Sequence, residues 1–164
     1  MPGTPGGRGA ESLRALLNRC DAQTRCSHGQ TAIAAELAES LRKWRAAYPQ
    51  KPLLVSEYGA GSLAGLHARA VGAGAPSEDS SELRDEIYDA TWAAFDELRA
   101  AAELQGEQLH ALHDFKQYGR RTTDVGGLNL KGLYTRERAP KDGARARLAE
   151  RYRAVAAGAC APAA

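Results

Sequence analysis

One glutamate stands where the sequence otherwise favours burial. In the stretch KPLLVSEYGAGSLAGLH, residues 51–67, a short apolar run follows a proline and soon meets a glycine, which is typical of a buried parallel strand. Glu57 ends that run. Parallel α/β proteins hold their chemistry just past the C-terminal ends of their strands, so Glu57 is a candidate catalytic carboxylate. Taken alone, a glutamate in such a place is more often a surface or capping residue.

Two other patterns could bind a metal or a phosphate, but their spacing argues against both. His110 and His113 are three residues apart, which places them on opposite faces of a strand. The glycine-rich GAGSLAG at 59–65 is not followed by Gly-Lys-Ser or Gly-Lys-Thr, as a phosphate loop requires. We therefore predict no metal site and no cofactor.

The position of Glu57 depends on a predicted helix and the predicted strand that follows it. From Thr31 the apolar residues recur every three or four positions, which predicts a helix with the face Ile33, Leu37, Leu41, Trp44 and Tyr48. A strand is predicted at 52–57. A loop rich in Gly, Ala and Ser follows at 59–80.

Two further helices are indicated. Asp79 and Glu82 have the spacing of a capping box, which predicts a helix that ends near Leu104. After Pro140 a last helix is marked by Leu148, Tyr152 and Val155. Its basic run RARLAERYR, residues 145–153, has helical spacing, and we interpret it as a solvated outer face rather than a nucleic-acid site.

A second strand fits residues 106–115, where His110, Leu112 and Asp114 would share one face. A loop is predicted at 116–139. Helix, strand, helix, strand, helix is the order of βαβ units with a parallel sheet, so the predicted fold class is α/β.

The composition is that of a folded globular chain with no strong charge. Of the 164 residues 43% are hydrophobic, and 22 Lys plus Arg against 20 Asp plus Glu give a net charge of +2. Nucleic-acid binding needs a more concentrated positive field, so no nucleic-acid partner is predicted. The sequence has neither a signal-peptide core nor an apolar run of roughly 18 residues, so we expect no membrane partner and a cytoplasmic location. Three cysteines are an odd number, which favours reduced thiols.

The chain divides into three parts. Residues 1–30 are rich in Gly, Pro, Arg and Ser and are predicted to be a flexible leader. Residues 31–157 hold all the predicted elements after that leader and form the domain. Residues 158–164, which end in APAA, are predicted to be a loose tail.

A strand segment and five separated blocks that follow it give the sequence a family resemblance. KPLLVSEYGAGSLAGLH resembles the nucleophile segment of glycoside hydrolase family 2, and within that family the branch of the β-glucuronidases. AAFDELR (93–99), GEQ with DF (106–115), VGG (125–127), NLKGLYTRERAPK (129–141) and LAERY (148–152) follow in the family's order. The resemblance covers roughly residues 41–155.

The resemblance implies a partial (β/α)₈ TIM barrel. The matching part of the family's catalytic domain is its C-terminal arc, with strands seven and eight and their flanking helices. A complete barrel needs about 250 residues. The expected partner is therefore the missing N-terminal barrel portion, or a second copy in a homo-oligomer.

The resemblance assigns Glu57 as the nucleophile of a retaining glycosidase. Such an enzyme also needs a second carboxyl group about 5–5.5 Å away, which protonates the leaving oxygen. In the family this acid/base lies in an Asn-Glu-Pro motif, and the sequence contains none. Glu107 and Asp114 match no family motif for that role, so the chain alone is expected to be inactive.

The resemblance also implies which residues bind the substrate. The β-glucuronidases share an Asn-x-Lys motif that binds the carboxylate of the sugar, and Asn129 and Lys131 match it. An amide and an ammonium favour a carboxylate over a neutral hydroxymethyl group through charge-assisted hydrogen bonds. Tyr58, His110 and Asp114 are the other expected contacts of the β-glucuronide, although His110 replaces a tryptophan of the family.

Two alternatives to a β-glucuronidase stay open. The chain could be a non-catalytic remnant or a binding piece that derives from a family 2 glycosidase, because the acid/base is absent. It could also be a β-galactosidase-like member of the same family.

Overall fold

The computed structural model describes residues 30–67, 79–117 and 127–158. Within these ranges the chain forms, in order, α1 (Gln30–Ala47), β1 (Leu54–Tyr58), α2 (Ser81–Ala100), β2 (Gly106–Leu109), β3 (Phe115–Lys116), β4 (Leu128–Asn129) and α3 (Ala144–Ala156). The α/β class is confirmed. Nearly all of the predicted leader and tail lies outside the described residues. None of the described helices is long and apolar enough to cross a membrane.

The sheet at the centre has two parallel strands, as the order of the elements predicted. β1 pairs with β2, with Leu54 opposite Gly106 and Val55 opposite Glu107. Hydrogen bonds extend the pair beyond both ends, from Gln105 N–H to the Leu53 carbonyl and from His110 N–H to the Tyr58 carbonyl. The pairing of β1 with β2 therefore extends beyond Glu57 on both sides.

The apolar core covers one face of this sheet. α1 contributes Leu37 and Leu41, α2 contributes Phe95 and Leu98, and all four side chains are at most 1% exposed. The core cluster also takes in Val55 and Tyr58 of β1. The predicted apolar face of α1 is thus confirmed for Leu37 and Leu41.

The other face of β1 does not fit the prediction of a fully buried strand. Leu54 is 62% exposed, and Ser56 and Glu57 are exposed as well. The described helices pack on the Val55 side alone, so the second face has no layer to cover it within the described chain.

The start of α2 also differs from the prediction. Ser80, not Asp79, is the N-cap, and its Oγ accepts the Leu83 N–H at 3.2 Å. Asp79 precedes the helix in a left-handed conformation, with φ of 57°. Glu82 lies 3.1 Å from His67 Nδ1 and so contacts a neighbouring segment. The helix ends at Ala100 rather than near Leu104.

The second predicted strand is shorter than expected. β2 ends at Leu109 because its partner β1 ends at Tyr58, and the chain bends at His110. The following residues bond elsewhere: Ala111 N–H donates to the Lys131 carbonyl and Asp114 N–H to the Tyr134 carbonyl. The prediction that His110, Leu112 and Asp114 share one face of a strand is therefore wrong.

The predicted loop at 116–139 contains a strand. β4 pairs antiparallel with β3, with Phe115 opposite Asn129 and Lys116 opposite Leu128. Each strand has two residues, which is too short a run for a period-two pattern to reveal.

The last helix is confirmed, but its basic face is partly buried. Arg145 and Arg153 are exposed, whereas Arg151 is 7% exposed. Acidic side chains of α2 and β2 surround Arg151, so it lies in the interior and not on the predicted solvated face.

Candidate functional site

A bulge at the end of β1 determines where Glu57 points. Val55 lies opposite Glu107 and Tyr58 opposite Leu109, so β1 uses one more residue than β2 over the same length. In a regular strand, residues three apart face opposite sides. The extra residue brings Val55 and Tyr58 to the same buried face and leaves Ser56 and Glu57 exposed together. Bulges of this kind commonly lie beside active sites, where they redirect a side chain.

The segments that follow β1 and β2 lie side by side. His110 N–H bonds the Tyr58 carbonyl at 2.8 Å, and Ala111 N–H bonds the Lys131 carbonyl at 3.1 Å. The end of β1 and the Lys131 backbone are thus attached to successive residues. Gly59 permits this approach, because a Cβ at that position would overlap the His110 carbonyl oxygen.

Asn129 braces the turn that carries Lys131. Its Oδ1 accepts the Lys131 N–H at 3.1 Å, and its Nδ2 donates to Gln117 Oε1 at 2.8 Å. The side chain of Asn129 is buried, and the bond to Gln117 uses one of the two amide hydrogens on Asn129 Nδ2. Gln117 was not predicted, since its closeness to Asn129 follows from the short β3–β4 pair.

Asp114 lies in a buried ion pair that the sequence did not predict. Its Oδ1 is 2.7 Å from Lys141 Nζ, and the side chains of the two residues are 4% and 0% exposed. Burial lowers the pKa of Lys141, and the nearby Asp114 carboxylate opposes that effect in part. Lys141 ends the block NLKGLYTRERAPK, and a lysine so close to a proline gave no signal of burial.

Gly132 is needed where the turn meets the segment after β2. Its N–H donates to Asp114 Oδ1 at 2.9 Å. A Cβ on Gly132 would overlap the backbone of Asp114, His113 and Tyr134. The glycine of NLKG is therefore a requirement of close backbone contact.

Tyr58 and His110 are placed differently from each other. The Tyr58 hydroxyl lies on the helix-packed face, where it accepts from Trp92 Nε1 at 3.0 Å and donates to Glu107 Oε1 at 3.1 Å. The structure does not bring it to the exposed side of β1 on which Glu57 lies. His110 is half-buried, with its ring 5.3 Å from that of Phe115.

Glu107 is held by two arginines. Arg99 donates to its Oε2 at 2.6 Å, and Arg151 donates to Oε1 at 3.1 Å and to Oε2 at 3.0 Å. Burial alone would raise the pKa of Glu107, but the hydrogen bonds and charges of Arg151 and Arg99 outweigh it and lower the pKa. A general acid at neutral pH needs a raised pKa, so Glu107 does not suit that role.

Among the described residues, the exposed end of the sheet therefore offers a carboxylate that could act as a nucleophile or a base. It presents one open carboxylate, Glu57, beside a turn that carries an ammonium, Lys131. Among the described residues no group of three His, Cys, Asp or Glu side chains could hold a metal ion.

Known proteins are similar to the chain in sequence and in fold. The chain is 32% identical over 115 residues to the β-glucuronidase of Streptococcus agalactiae, a match of 70% of the chain and 18% of that protein. It is 32% identical over 124 residues to the human β-glucuronidase, a match of 76% of the chain and 18% of that protein. No family model matches the chain.

Solved structures give the same result. A β-glucuronidase of Faecalibacterium prausnitzii matches 77% of the chain at 36% identity and a TM-score of 0.58, over 20% of its own length. The β-D-glucuronidase of Dictyoglomus thermophilum matches 79% at 30% identity and a TM-score of 0.63, over 20% of its own length. The chain thus spans about a fifth of the length of the relatives that it matches.

Proposed function

We propose that this β-glucuronidase-like segment of glycoside hydrolase family 2 forms the C-terminal part of an enzyme that hydrolyses terminal β-D-glucuronosides with retention. The observation that carries the proposal is the position of Glu57. It is an exposed carboxylate at a bulge, at the C-terminal end of a parallel strand, within a segment similar to β-glucuronidases. Its carboxylate forms no ion pair with another described residue, so it is available for chemistry.

Glu57 is the proposed nucleophile. A carboxylate oxygen of Glu57 attacks the anomeric carbon, the bond from that carbon to the aglycone oxygen breaks, and the aglycone oxygen takes a proton from a general acid. Water then hydrolyses the glycosyl ester, and the general acid, now a base, takes the proton of that water. Asp114 and Glu107 are both paired with cations, so we propose that the acid comes from another part of the enzyme.

Lys131 and Asn129 are the proposed specificity residues. An ammonium and an amide hydrogen would favour the uronic carboxylate over a neutral group at the same carbon. His110, half-buried after β2, would contact the sugar directly. Tyr58 and Asp114 would not contact the sugar. Their hydrogen bonds would hold β1 and the turn in place.

The fold that this function requires is a partial (β/α)₈ barrel, with β1 and β2 as its last two strands. The exposed face with Leu54 and Glu57 would line the barrel interior. Two strands leave unpaired edges, and such a pair is marginal by itself. The partner would be the N-terminal barrel portion, in the same polypeptide or another chain, or a second copy.

A chimera tests the proposal. The matching segment of the Faecalibacterium prausnitzii β-glucuronidase is replaced by residues 41–158 of this chain, and turnover of p-nitrophenyl β-D-glucuronide is measured. We expect turnover in the chimera and a loss of at least about 10⁴-fold in Glu57→Gln, the scale seen when a nucleophile is removed. The matched control is Glu97→Gln, an exposed glutamate of α2 that should leave turnover unchanged.

Two outcomes would contradict the proposal. A folded chimera with no turnover favours a non-catalytic remnant or binding piece. A chimera that prefers p-nitrophenyl β-D-galactoside favours a β-galactosidase-like member instead.

A further inference from the structure

Lys141 joins three segments that surround the candidate site. Its ammonium donates to the Ser62 carbonyl at 2.6 Å, to the Leu130 carbonyl at 2.8 Å and to Asp114 Oδ1 at 2.7 Å. Ser62 follows the end of β1, Asp114 follows β2, and Leu130 lies in the turn after β4. An ammonium has three hydrogens, so every one of them is bound.

The Asp114–Lys141 pair holds the backbone on both sides of Lys131. Lys141 donates a hydrogen bond to the carbonyl of Leu130, the residue before Lys131. Asp114 accepts the N–H of Gly132, the residue after Lys131. The Leu130 carbonyl also accepts the Ser62 N–H at 3.0 Å. Lys131 itself belongs to no strand, and β4 beside it has two residues, so regular structure supplies little support there.

We propose that the buried Asp114–Lys141 pair is a positioning device: it fixes the backbone on both sides of Lys131 and thereby the place of the Lys131 ammonium relative to β1. The carboxylate-binding role of Lys131 belongs to the proposed function, and the inference rests on it. Charge-assisted hydrogen bonds inside a protein are short and directional, so they restrict a turn more strongly than neutral ones. Neither member of the pair needs to touch a substrate.

Amide hydrogen exchange on the 164-residue chain tests the positioning itself. In Lys141→Met we expect the Lys131 and Gly132 amides to exchange about 10- to 100-fold faster, the range for losing a charged hydrogen bond. The amides at the centre of α2 should keep their protection. Lys43→Met, which removes a 73% exposed lysine of α1, is the matched control and should change neither group.

The result that would overturn the proposal is unchanged exchange at residues 131–132, or an equal acceleration through α2 and the turn. If Lys141→Met does not fold, Asp114→Asn replaces it. That variant keeps an acceptor for the Gly132 N–H but removes the charge that faces Lys141, and the exchange should still rise selectively by about threefold or more. Unchanged exchange of the Lys131 and Gly132 amides in Asp114→Asn would equally refute the proposal that the pair positions the turn.

A kinetic measurement in the chimera separates positioning from a general loss of structure. Lys141→Met should raise KM for the β-glucuronide about tenfold with kcat within about twofold, since it weakens binding that is equal in the ground and transition states. A fall in kcat with unchanged KM would contradict positioning. If the parent chimera shows no turnover, the proposed function fails, whereas the exchange experiment still decides whether the pair positions the turn.

Discussion

Two glutamates on neighbouring strands have opposite environments. Glu107 on β2 faces the helices, its side chain is 2% exposed, and Arg99 and Arg151 neutralise it. Glu57 on β1 lies within the bulge, on the uncovered face, and is exposed. The same residue type is thus buried in ion pairs on one face of the sheet and exposed on the other. The face of the sheet on which a glutamate lies, and not its distance from the strand end, therefore decides whether it is paired with arginines or exposed.

Loss of the Glu107 charge should have the largest effect on stability. Glu107→Gln leaves the buried Arg151 guanidinium without its main carboxylate partner, and breaking a buried pair in this way costs about 3–5 kcal/mol. Urea unfolding of the full chain measures the change. Glu97→Gln is the control, because Glu97 pairs with Arg42 at the surface and such pairs contribute below about 1 kcal/mol. If both substitutions lowered the free energy of unfolding equally, the buried Glu107 would contribute no more to stability than an exposed glutamate.

The two faces of β1 should differ by a smaller amount in stability. Val55→Ala removes two buried carbons from the core and should lower the free energy of unfolding by about 2 kcal/mol. Leu54→Ala removes a 62% exposed side chain and should change it by less than about 0.5 kcal/mol in the isolated chain. Urea unfolding of both variants under the same conditions gives the ratio of their losses in the free energy of unfolding. A larger loss for Leu54→Ala would mean that another layer, such as a second copy, already covers that face.

The pH dependence of stability should give the smallest effect and should come from Glu107. Its pKa in the folded chain lies below the ordinary value of 4.5, so below that value the unfolded chain binds more protons than the folded one. The contribution to stability is complete above pH 4.5 and is lost as the pH falls through the lowered pKa. Unfolding at a series of pH values from 6 to 3, in the parent chain and in Glu107→Gln, isolates this contribution. An identical pH dependence in the two proteins would show that Glu107 is not stabilised as described.

The parallel pair and the two larger helices could be predicted, because their signals are local. An apolar run bounded by proline and glycine marks β1, and a spacing of three or four marks α1. The cap of α2 was missed by one residue, since Ser80, Ser81 and Asp79 all favour such a position and tertiary contacts decide among them. The length of β2 could not be predicted, because it is limited by the end of its partner strand.

The site could be predicted in part. Glu57, Asn129 and Lys131 were singled out by type and by resemblance, but the bulge that turns Glu57 outward leaves no trace in the sequence. The Asp114–Lys141 pair joins residues 27 positions apart, and nothing local marks a buried lysine. Arg151 was assigned to a solvated face for a similar reason, because its partners Asp96 and Glu107 lie far away in sequence.

The proposed mechanism requires a covalent bond between Glu57 and the sugar, and covalent labelling detects that bond directly. The chimera is incubated with 2-deoxy-2-fluoro-β-D-glucuronyl fluoride, whose fluoride leaves without a proton, while the fluorine at C2 slows hydrolysis of the ester. After pepsin digestion, mass spectrometry should find the label on Glu57 in the peptide that contains residues 51–67, and no label there in Glu57→Gln. A label on another carboxylate, or an unlabelled Glu57 in a folded chimera, would show that Glu57 is not the nucleophile.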